Sequence, residues 1–370
     1  MKFVTLFPEA LNIHLVKDVG MIAYILTKYY GYKGTLACYR NSEKYGYLDK
    51  EVKGLNVDFL KKYTGNDTID GLLYILKNAK NIDVLHIFHV TSRRNYAWIL
   101  LYKVLNPQGK VYLKLDADFR IKDIDFHKKD IKSNIRRWIL KKCFLISVET
   151  VGLYKYLISQ WNLDIEYIPN GFYDFDKRKS VSYKEKENII CTVGRIGTKQ
   201  KASEILLEAF QLVNTSLSDW HIKFIGPIDD GFSNAIEEFF CKYPKLKDQI
   251  IFTGNIMDRE KLNEEYKKAK IFCLTSRWEG FPLVFPEAMK NGCYIITSDI
   301  EAGVDVIENG KYGCSFQIDD TKALAKCLVA VCHKDRQLEI NCEETQKFVY
   351  EKFYWINIAK KIDQLLNKVG

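Results

Sequence analysis

Short apolar runs alternate with longer amphipathic stretches along the whole chain, and this alternation limits the fold more than any other feature. The runs MKFVTLF, IDVLHIFHV and KVYLKLDAD have the length and composition of buried strands, whereas VKDVGMIAYILTKYY has that of a helix. Strands that are separated by helices pair in parallel within one sheet. The chain is therefore predicted to belong to the α/β class.

The alternation stops around Pro169-Asn170-Gly171, where the polar stretch DFDKRKSVSYKEKEN follows, and it resumes with IICTVGR. A chain of 370 residues also suits two domains of ordinary size. We predict two Rossmann-like domains, residues 1–170 and 171–370, that face each other across a cleft. The last helix, expected from about Gln346 to Leu366, can cross back onto the first domain. Open parallel sheets bind ligands at the carboxyl ends of their strands.

Several classes of protein are excluded by composition. No apolar run reaches the ~20 residues that a membrane-spanning helix needs, and the first twenty residues lack the unbroken apolar core of a signal peptide. We therefore expect a cytoplasmic protein that can touch the inner face of the membrane. The ten cysteines are scattered and form no C-x-x-C pair, which predicts free, buried thiols rather than zinc ligands or disulfides.

Positive charge is concentrated in the first half of the chain. Residues 1–170 contain 27 Lys and Arg against 17 Asp and Glu, and the remainder contains 29 against 30. A one-sided basic surface attracts an anionic partner such as nucleic acid, anionic lipid or a phosphorylated substrate.

Two glutamates flank the start of a helix in the second half, within KIFCLTSRWEGFPLVFPEAMKNG. A predicted strand ends at Thr275-Ser276, Glu279 stands in the loop, and Glu287 falls in the first turns of a helix that begins near Pro282 or soon after. Carboxylates accept hydrogen bonds from hydroxyl groups, and free N–H groups at a helix start suit a phosphate. This arrangement is expected to bind a ligand that carries both groups.

The E-x7-E spacing in EGFPLVFPEAM resembles the retaining GT-B glycosyltransferases, in particular glycosyltransferase family four. The same resemblance covers Gly194-Arg195, with Lys201 six positions after the arginine, and the later FTGN. It implies that Arg195 and Lys201 clamp the donor diphosphate, with Lys199 as an alternative cation. It implies further that Glu287 holds the ribose and that Glu279 contacts the transferred sugar. The other implied donor-binding residues are Gly194, Gly280, Phe281 and Leu283. The lysine is normally followed by glycine in this family, whereas here Ala202 follows.

For the first half, the resemblance implies a catalytic side chain at the end of the strand KVYLKLDAD, where Asp116 stands with Asp118 beside it. The alternative for Asp116 is an ordinary cap or loop carboxylate. Asp116-Ala117-Asp118 also fits the D-x-D metal site of the GT-A fold. We set that fold aside because GT-A enzymes lack the second-half motifs, and we expect no metal because Arg195 and Lys201 supply the positive charge. Of the nearby histidines, His86 is expected to pack in the core, with an acceptor-side role as the lesser alternative.

The stretch HKKDIKSNIRRWILKKCF, residues 127–144, is the most basic in the chain, and its apolar residues recur at helical spacing. Such a helix can lie on anionic lipid, where each basic residue contributes about 1 kcal/mol. It can equally be an ordinary amphipathic helix whose apolar stripe packs on its own domain.

Together these features predict a retaining hexosyltransferase that moves a sugar from a nucleotide diphosphate sugar to a carbohydrate or lipid-linked acceptor. Surface polysaccharide or glycolipid synthesis is the expected setting. We expect UDP-sugar rather than GDP-sugar as donor, no further cofactor and no nucleic-acid partner. The alternatives are a GT-B nucleotide-sugar epimerase and a non-catalytic lipid- or nucleic-acid-binding module.

Overall fold

The computed structural model describes residues 1–90, 92–128, 130–175 and 180–368, and it divides the chain into two compact units. The first unit comprises Met1–Phe175 and Phe353–Gly370, and the second comprises Asp176–Lys352. The units therefore part a few residues beyond the boundary expected from the sequence, and the last segment of the chain belongs to the first unit.

The first unit contains a seven-stranded sheet in the order β3-β2-β1-β4-β5-β6-β7, in which all pairings are parallel. Its strands are β1 (Lys2–Leu6), β2 (Lys33–Cys38), β3 (Asn56–Phe59), β4 (Val84–Phe88), β5 (Lys110–Lys114), β6 (Leu145–Val148) and β7 (Glu166–Tyr167). Its helices are α1 (Asp18–Tyr30), α2 (Asp67–Asn78), α3 (Arg93–Leu105), α4 (Ile131–Leu140) and α5 (Val151–Trp161), with α13 (Trp355–Leu366) from the chain end. One apolar cluster lies on each face of this sheet.

The second unit contains a six-stranded parallel sheet in the order β10-β9-β8-β11-β12-β13. Its strands are β8 (Glu187–Val193), β9 (His221–Ile225), β10 (Ile250–Gly254), β11 (Ala269–Leu274), β12 (Tyr294–Ser298) and β13 (Gly313–Phe316). Its helices are α6 (Ser203–Val213), α7 (Asp230–Lys242), α8 (Arg259–Lys268), α9 (Val284–Lys290), α10 (Glu301–Val306), α11 (Thr321–Cys332) and α12 (Asp335–Lys352). Two parallel sheets with helices between their strands confirm the predicted α/β class.

The expected single helix from Gln346 to Leu366 is wrong, because the chain breaks between α12 and α13. Tyr354 is extended, with φ −83° and ψ 125°. The N–H of Phe172 donates to the carbonyl oxygen of Phe353 (2.9 Å), and the N–H of Trp355 donates to that of Phe172 (3.0 Å). These pairings interrupt the helical ladder, and the apolar stripe of α13 then packs in the first unit on the cluster that includes α1.

Two short strands carried no clear sequence signal. The strand β3 lies at the sheet edge and is only half buried, and β7 has two residues. Among the described residues, no helix is long and apolar enough to span a membrane.

Candidate functional site

Three neighbouring strands of the second unit end at glycines: Gly194 follows β8, Gly226 follows β9, and Gly254 closes β10. Gly226 has φ +140°, and a Cβ atom there would lie 1.9 Å from the carbonyl oxygen of Gly194. Only glycine allows the two backbones to pass so closely. The sequence motif included Gly194 and Gly254, whereas the need for Gly226 appears only in three dimensions.

An ion pair connects two of the predicted site residues. Nζ of Lys201 lies 2.6 Å from Oε1 of Glu279, and the hydroxyl of Ser276 donates to the same oxygen over 2.8 Å. The side chains of Lys201 and Glu279 are 16% and 11% exposed, so the pair is largely shielded from water. Charge-assisted hydrogen bonds of this kind are strong, and they fix both groups at the carboxyl edge of the sheet.

Gln200 connects the Arg195 loop to the Glu279 loop. Nη2 of Arg195 donates to Oε1 of Gln200 (3.0 Å), and Nε2 of Gln200 donates to the carbonyl oxygen of Trp278 (3.0 Å). Arg195 is exposed, and within the described residues it has no carboxylate within ion-pair distance. Its positive charge is therefore available to an anionic ligand.

Arg277 also connects the Arg195 loop to the Glu279 loop through hydrogen bonds. Its guanidinium donates to Asp319 (2.7 Å), to Glu204 at the start of α6 (2.7 Å) and to the carbonyl oxygen of Lys199 (2.6 Å). Sequence reasoning missed Gln200 and Arg277, because their roles depend on contacts between segments that are 78 residues apart. It also missed Ser276, although its partner Glu279 is only three residues away in the sequence.

Ala202, the position where the family resemblance implies a glycine, has a backbone conformation that favours glycine. It is the N-cap of α6 in the left-handed region, with φ 48° and ψ 44°. The hydroxyl of Thr275 donates to the carbonyl oxygens of Lys201 (2.8 Å) and Ala202 (2.9 Å). The turn is therefore retained here without the glycine that suits it best.

Glu287 lies in the first turn of α9 and is approached by two side chains from α8. The hydroxyl of Tyr266 donates to its Oε2 over 3.4 Å, and Nη2 of Arg259 lies 3.9 Å from its Oε1. Burial raises the pKa of Tyr266 well above its ordinary value, so the phenol remains a hydrogen-bond donor. Of the remaining predicted residues, Phe281 is buried, and Gly280 and Leu283 are half buried.

In the first unit, Asp116 and Asp118 point to different partners. Asp118 accepts from the backbone N–H of Arg120 (3.0 Å) and pairs with its guanidinium. Asp116 follows β5 and has one carboxylate oxygen 3.7 Å from Nδ1 of His89, which follows β4. The tripeptide therefore does not present two carboxylates to one another.

A buried ion pair lies beneath Asp116 and was not predicted. Nζ of Lys114 lies 2.5 Å from Oε1 of Glu149, and both side chains are fully buried. Glu149 also accepts from the backbone N–H groups of Asp116 (3.1 Å) and Ala117 (3.2 Å). Asp18, at the start of α1, approaches Lys114 to 3.5 Å. Sequence reasoning had no signal for this pair, since β5 and β6 lie 35 residues apart at these positions.

Only part of the apolar stripe of helix α4 packs on its own domain. Ile131, Ile135 and Trp138 are 77%, 51% and 55% exposed, whereas Ile139 and Leu140 are buried. Nζ of Lys142 lies 4.0 Å from the centroid of the Trp138 ring. One residue of the basic stretch, Lys129, lies outside the described residues. The domain therefore covers the stripe only at its C-terminal end, where Ile139 and Leu140 lie in an apolar cluster of the first unit, and the rest of the stripe is exposed.

Comparison with known proteins gives a family match for the second unit. Residues 174–347 match the model of the family described as Glycosyl transferases group 1. A phosphatidyl-myo-inositol mannosyltransferase of Mycobacterium leprae is 27% identical over 208 residues, which are 55% of this chain and 53% of that protein. An Escherichia coli UDP-Gal:α-D-GlcNAc-diphosphoundecaprenol α-1,3-galactosyltransferase is 25% identical over 216 residues, 55% of this chain and 53% of that protein. The chain thus spans about half the length of these relatives.

The fold as a whole is similar to that of solved GT-B structures. HepE of Anabaena, solved in complex with UDP-glucose, superposes with a TM-score of 0.74 at 12% identity, and the match covers 100% of both chains. At that identity the likeness establishes the fold alone. The predicted GT-B architecture of two Rossmann-like domains is confirmed.

Proposed function

We propose that this protein is a glycosyltransferase that moves a sugar from a UDP-sugar to a carbohydrate or lipid-linked acceptor with retention of anomeric configuration. The observation that carries this proposal is the joined cluster of Arg195, Lys201 and Glu279 at the carboxyl edge of the second sheet. It lies within the segment that matches the glycosyltransferase family.

The cluster suits a departing diphosphate. Breaking the bond between the anomeric carbon and the phosphate oxygen builds negative charge on the leaving group, and fixed cations stabilise that charge as it develops. Arg195 is exposed and held by a neutral amide, so its charge is free for the ligand. Lys201 is paired with Glu279, so a bound phosphate would share the lysine with the glutamate.

Glu287 is suited to the ribose. It is half buried in the first turn of α9, and its contacts with Tyr266 and Arg259 are long, at 3.4 Å and 3.9 Å. A carboxylate in that state can accept two hydroxyl hydrogen bonds. UDP is the proposed nucleotide, because the Escherichia coli relative is named for UDP-Gal and HepE was solved with UDP-glucose.

In the proposed reaction, an acceptor hydroxyl attacks the anomeric carbon from the face that the diphosphate leaves. The new carbon–oxygen bond forms as the old one breaks, and the acceptor proton passes to an oxygen of the leaving phosphate. No carboxylate nucleophile is needed. Asp116, in the first unit, is assigned to the reacting sugar.

A lipid-linked acceptor is supported by the exposed face of α4. Ile131, Ile135 and Trp138 are exposed between basic residues, and such a face is complementary to an anionic leaflet. The two named relatives act on lipid-linked or lipid substrates by their printed names. We propose peripheral contact with the inner face of the membrane through residues 127–144.

The proposal is tested by a thermal-shift screen with UDP, GDP, ADP and their common sugars. Ligand that binds the native state raises the unfolding temperature, so UDP and one or more UDP-sugars should raise it and GDP should not. The anomer of the product, read by NMR, tests retention. No shift with any nucleotide would contradict the proposal.

An epimerase is the competing enzyme class. It would convert the UDP-sugar into a second UDP-sugar without any acceptor. Product analysis in the absence of acceptor should instead give free UDP and free sugar by slow transfer to water.

A further inference from the structure

Two adjacent strand ends of the first unit carry residues in the left-handed backbone region. His89, after β4, has φ 67°, and Asp116, after β5, has φ 42°. This conformation costs a residue with a side chain about 1–2 kcal/mol relative to the right-handed region. Such residues persist only where their surroundings enforce them, and they concentrate at functional sites.

Buried polar groups enforce both conformations. Nδ2 of Asn95 donates to the carbonyl oxygens of Phe88 and His89, each over 2.5 Å, and Asn95 is buried. On the neighbouring strand, the carboxylate of Glu149 accepts from the N–H groups of Asp116 and Ala117. Glu149 is itself neutralised by Lys114.

Burying an ion pair such as Lys114–Glu149 costs several kcal/mol of desolvation for each ion, and its attraction offsets this only when the remaining polar atoms are satisfied. Here the two backbone N–H groups complete the site of Glu149. Besides packing, the pair therefore fixes the backbone that carries Asp116.

The side chains of His89 and Asp116 face each other but form no hydrogen bond. Nδ1 of His89 lies 3.7 Å from Oδ2 of Asp116, which is beyond hydrogen-bond distance. The two side chains are 35% and 36% exposed. An oxygen atom placed beside the pair, off the line that joins the two atoms, can lie about 2.8 Å from both. A hydroxyl has one donor and two acceptor sites, so it can donate to the carboxylate and accept from Nδ1–H in the tautomer that carries the ring proton there.

We propose that His89 is a substrate-binding residue, and that His89 and Asp116 together bind one sugar hydroxyl. This inference rests on the proposed function. The hydroxyl belongs either to the transferred sugar or to the acceptor, and the experiment distinguishes the two.

His89→Gly tests the proposal cleanly, because glycine adopts φ 67° without strain. The variant deletes the imidazole and should stay folded, since the relief of backbone strain offsets the loss of the ring's contacts with Phe7 and Phe88. Turnover of the UDP-sugar that the wild type uses fastest should fall about tenfold, the effect of one lost hydrogen bond to a neutral group. Asn162→Gly is the matched control: Asn162 caps α5 with φ 48°, and its replacement should leave turnover unchanged.

A double-mutant cycle tests whether the two residues share one hydroxyl. Groups that bind the same atom show non-additive losses. His89→Gly combined with Asp116→Asn should therefore lose no more than Asp116→Asn alone. Losses that multiply would overturn the shared hydroxyl.

Deoxy analogues of the donor identify the hydroxyl. Wild type and His89→Gly should turn over the analogue that lacks this hydroxyl at the same rate. If every deoxy donor preserves the tenfold difference, the hydroxyl is that of the acceptor. Wild-type turnover in His89→Gly would overturn this inference and leave the proposed function standing, whereas an inactive wild type would overturn both.

Discussion

At the scale of single residues, His86 shows how burial sets a pH dependence. It is fully buried in the centre of the first sheet, where its Nδ1 lies 3.0 Å from the hydroxyl of Thr5 and its ring stacks on Tyr112. The sequence expectation of a packed core histidine is confirmed. Burial, with a further contribution from the charge of Lys114, lowers the pKa of His86 well below 6.5.

This lowered pKa predicts a loss of stability in mild acid. Below pH 6.5 the unfolded chain gains a proton at His86 that the native protein does not bind, so the free energy of unfolding falls as pH falls. The contribution of one such group approaches ~1.4 kcal/mol per pH unit. Urea unfolding between pH 7.5 and 5 should show a shallower fall for His86→Gln. His127→Gln, at an exposed histidine, should behave as the wild type, and equal slopes in all three proteins would contradict the assignment.

Ala202 gives a second prediction at this scale. Because it caps α6 with φ 48°, Ala202→Gly should raise the free energy of unfolding by ~1 kcal/mol. Ala209→Gly, within the regular part of the same helix, should lower it by at least a similar amount. Chemical denaturation of the two variants checks the opposite signs, and a destabilised Ala202→Gly would contradict the account.

The sequence predicted Lys201 and Glu279 as separate site residues with separate partners, and the structure joins them. A motif orders residues along the chain, but it carries no information about which charged groups pair with each other in the fold. For the same reason the Lys114–Glu149 pair and the contacts of Gln200 had no counterpart in the sequence analysis.

At the scale of elements, apolar runs and amphipathic stretches predicted β1, β4, β5 and α1, because these patterns directly reflect burial. Periodicity failed between α12 and α13, where Phe353 and Trp355 continue an apolar pattern although their backbone groups pair with Phe172. It also missed β3 and β7, which bury too little surface to produce a pattern.

The helix α4 carries the prediction for the membrane. Wild-type protein should float with vesicles that contain anionic lipid at low salt and dissociate as salt rises, because exposed charges are screened within about 8 Å at physiological ionic strength. Replacing Arg136, Arg137, Lys141 and Lys142 with glutamine should abolish flotation.

The apolar part of this surface is tested separately. Trp138→Ser should weaken flotation at all salt concentrations, since it removes an exposed ring rather than a charge. UDP-sugar hydrolysis should be unaffected in both variants. Equal flotation of wild type and the glutamine variant would leave α4 without a role at the membrane.

At the scale of the whole molecule, the proposed reaction uses side-chain cations rather than a metal. Asp118 is paired with Arg120, and Asp116 faces His89. Turnover should therefore persist in excess EDTA. Loss of turnover that added Mn²⁺ restores would instead support a metal-dependent mechanism. A sample that is handled in the same way without EDTA controls for inactivation during the treatment.

The central claim is that the cations of the second unit stabilise a departing diphosphate. The most direct test is the turnover of the preferred UDP-sugar by wild type, Arg195→Ala and Lys201→Ala, with Arg336→Ala as a control at an exposed arginine of α12. Loss of one preorganised charge stabiliser lowers turnover by about 100-fold or more, so both site variants should fall by that factor while they stay folded and the control stays active. Undiminished turnover by folded Arg195→Ala would contradict the account.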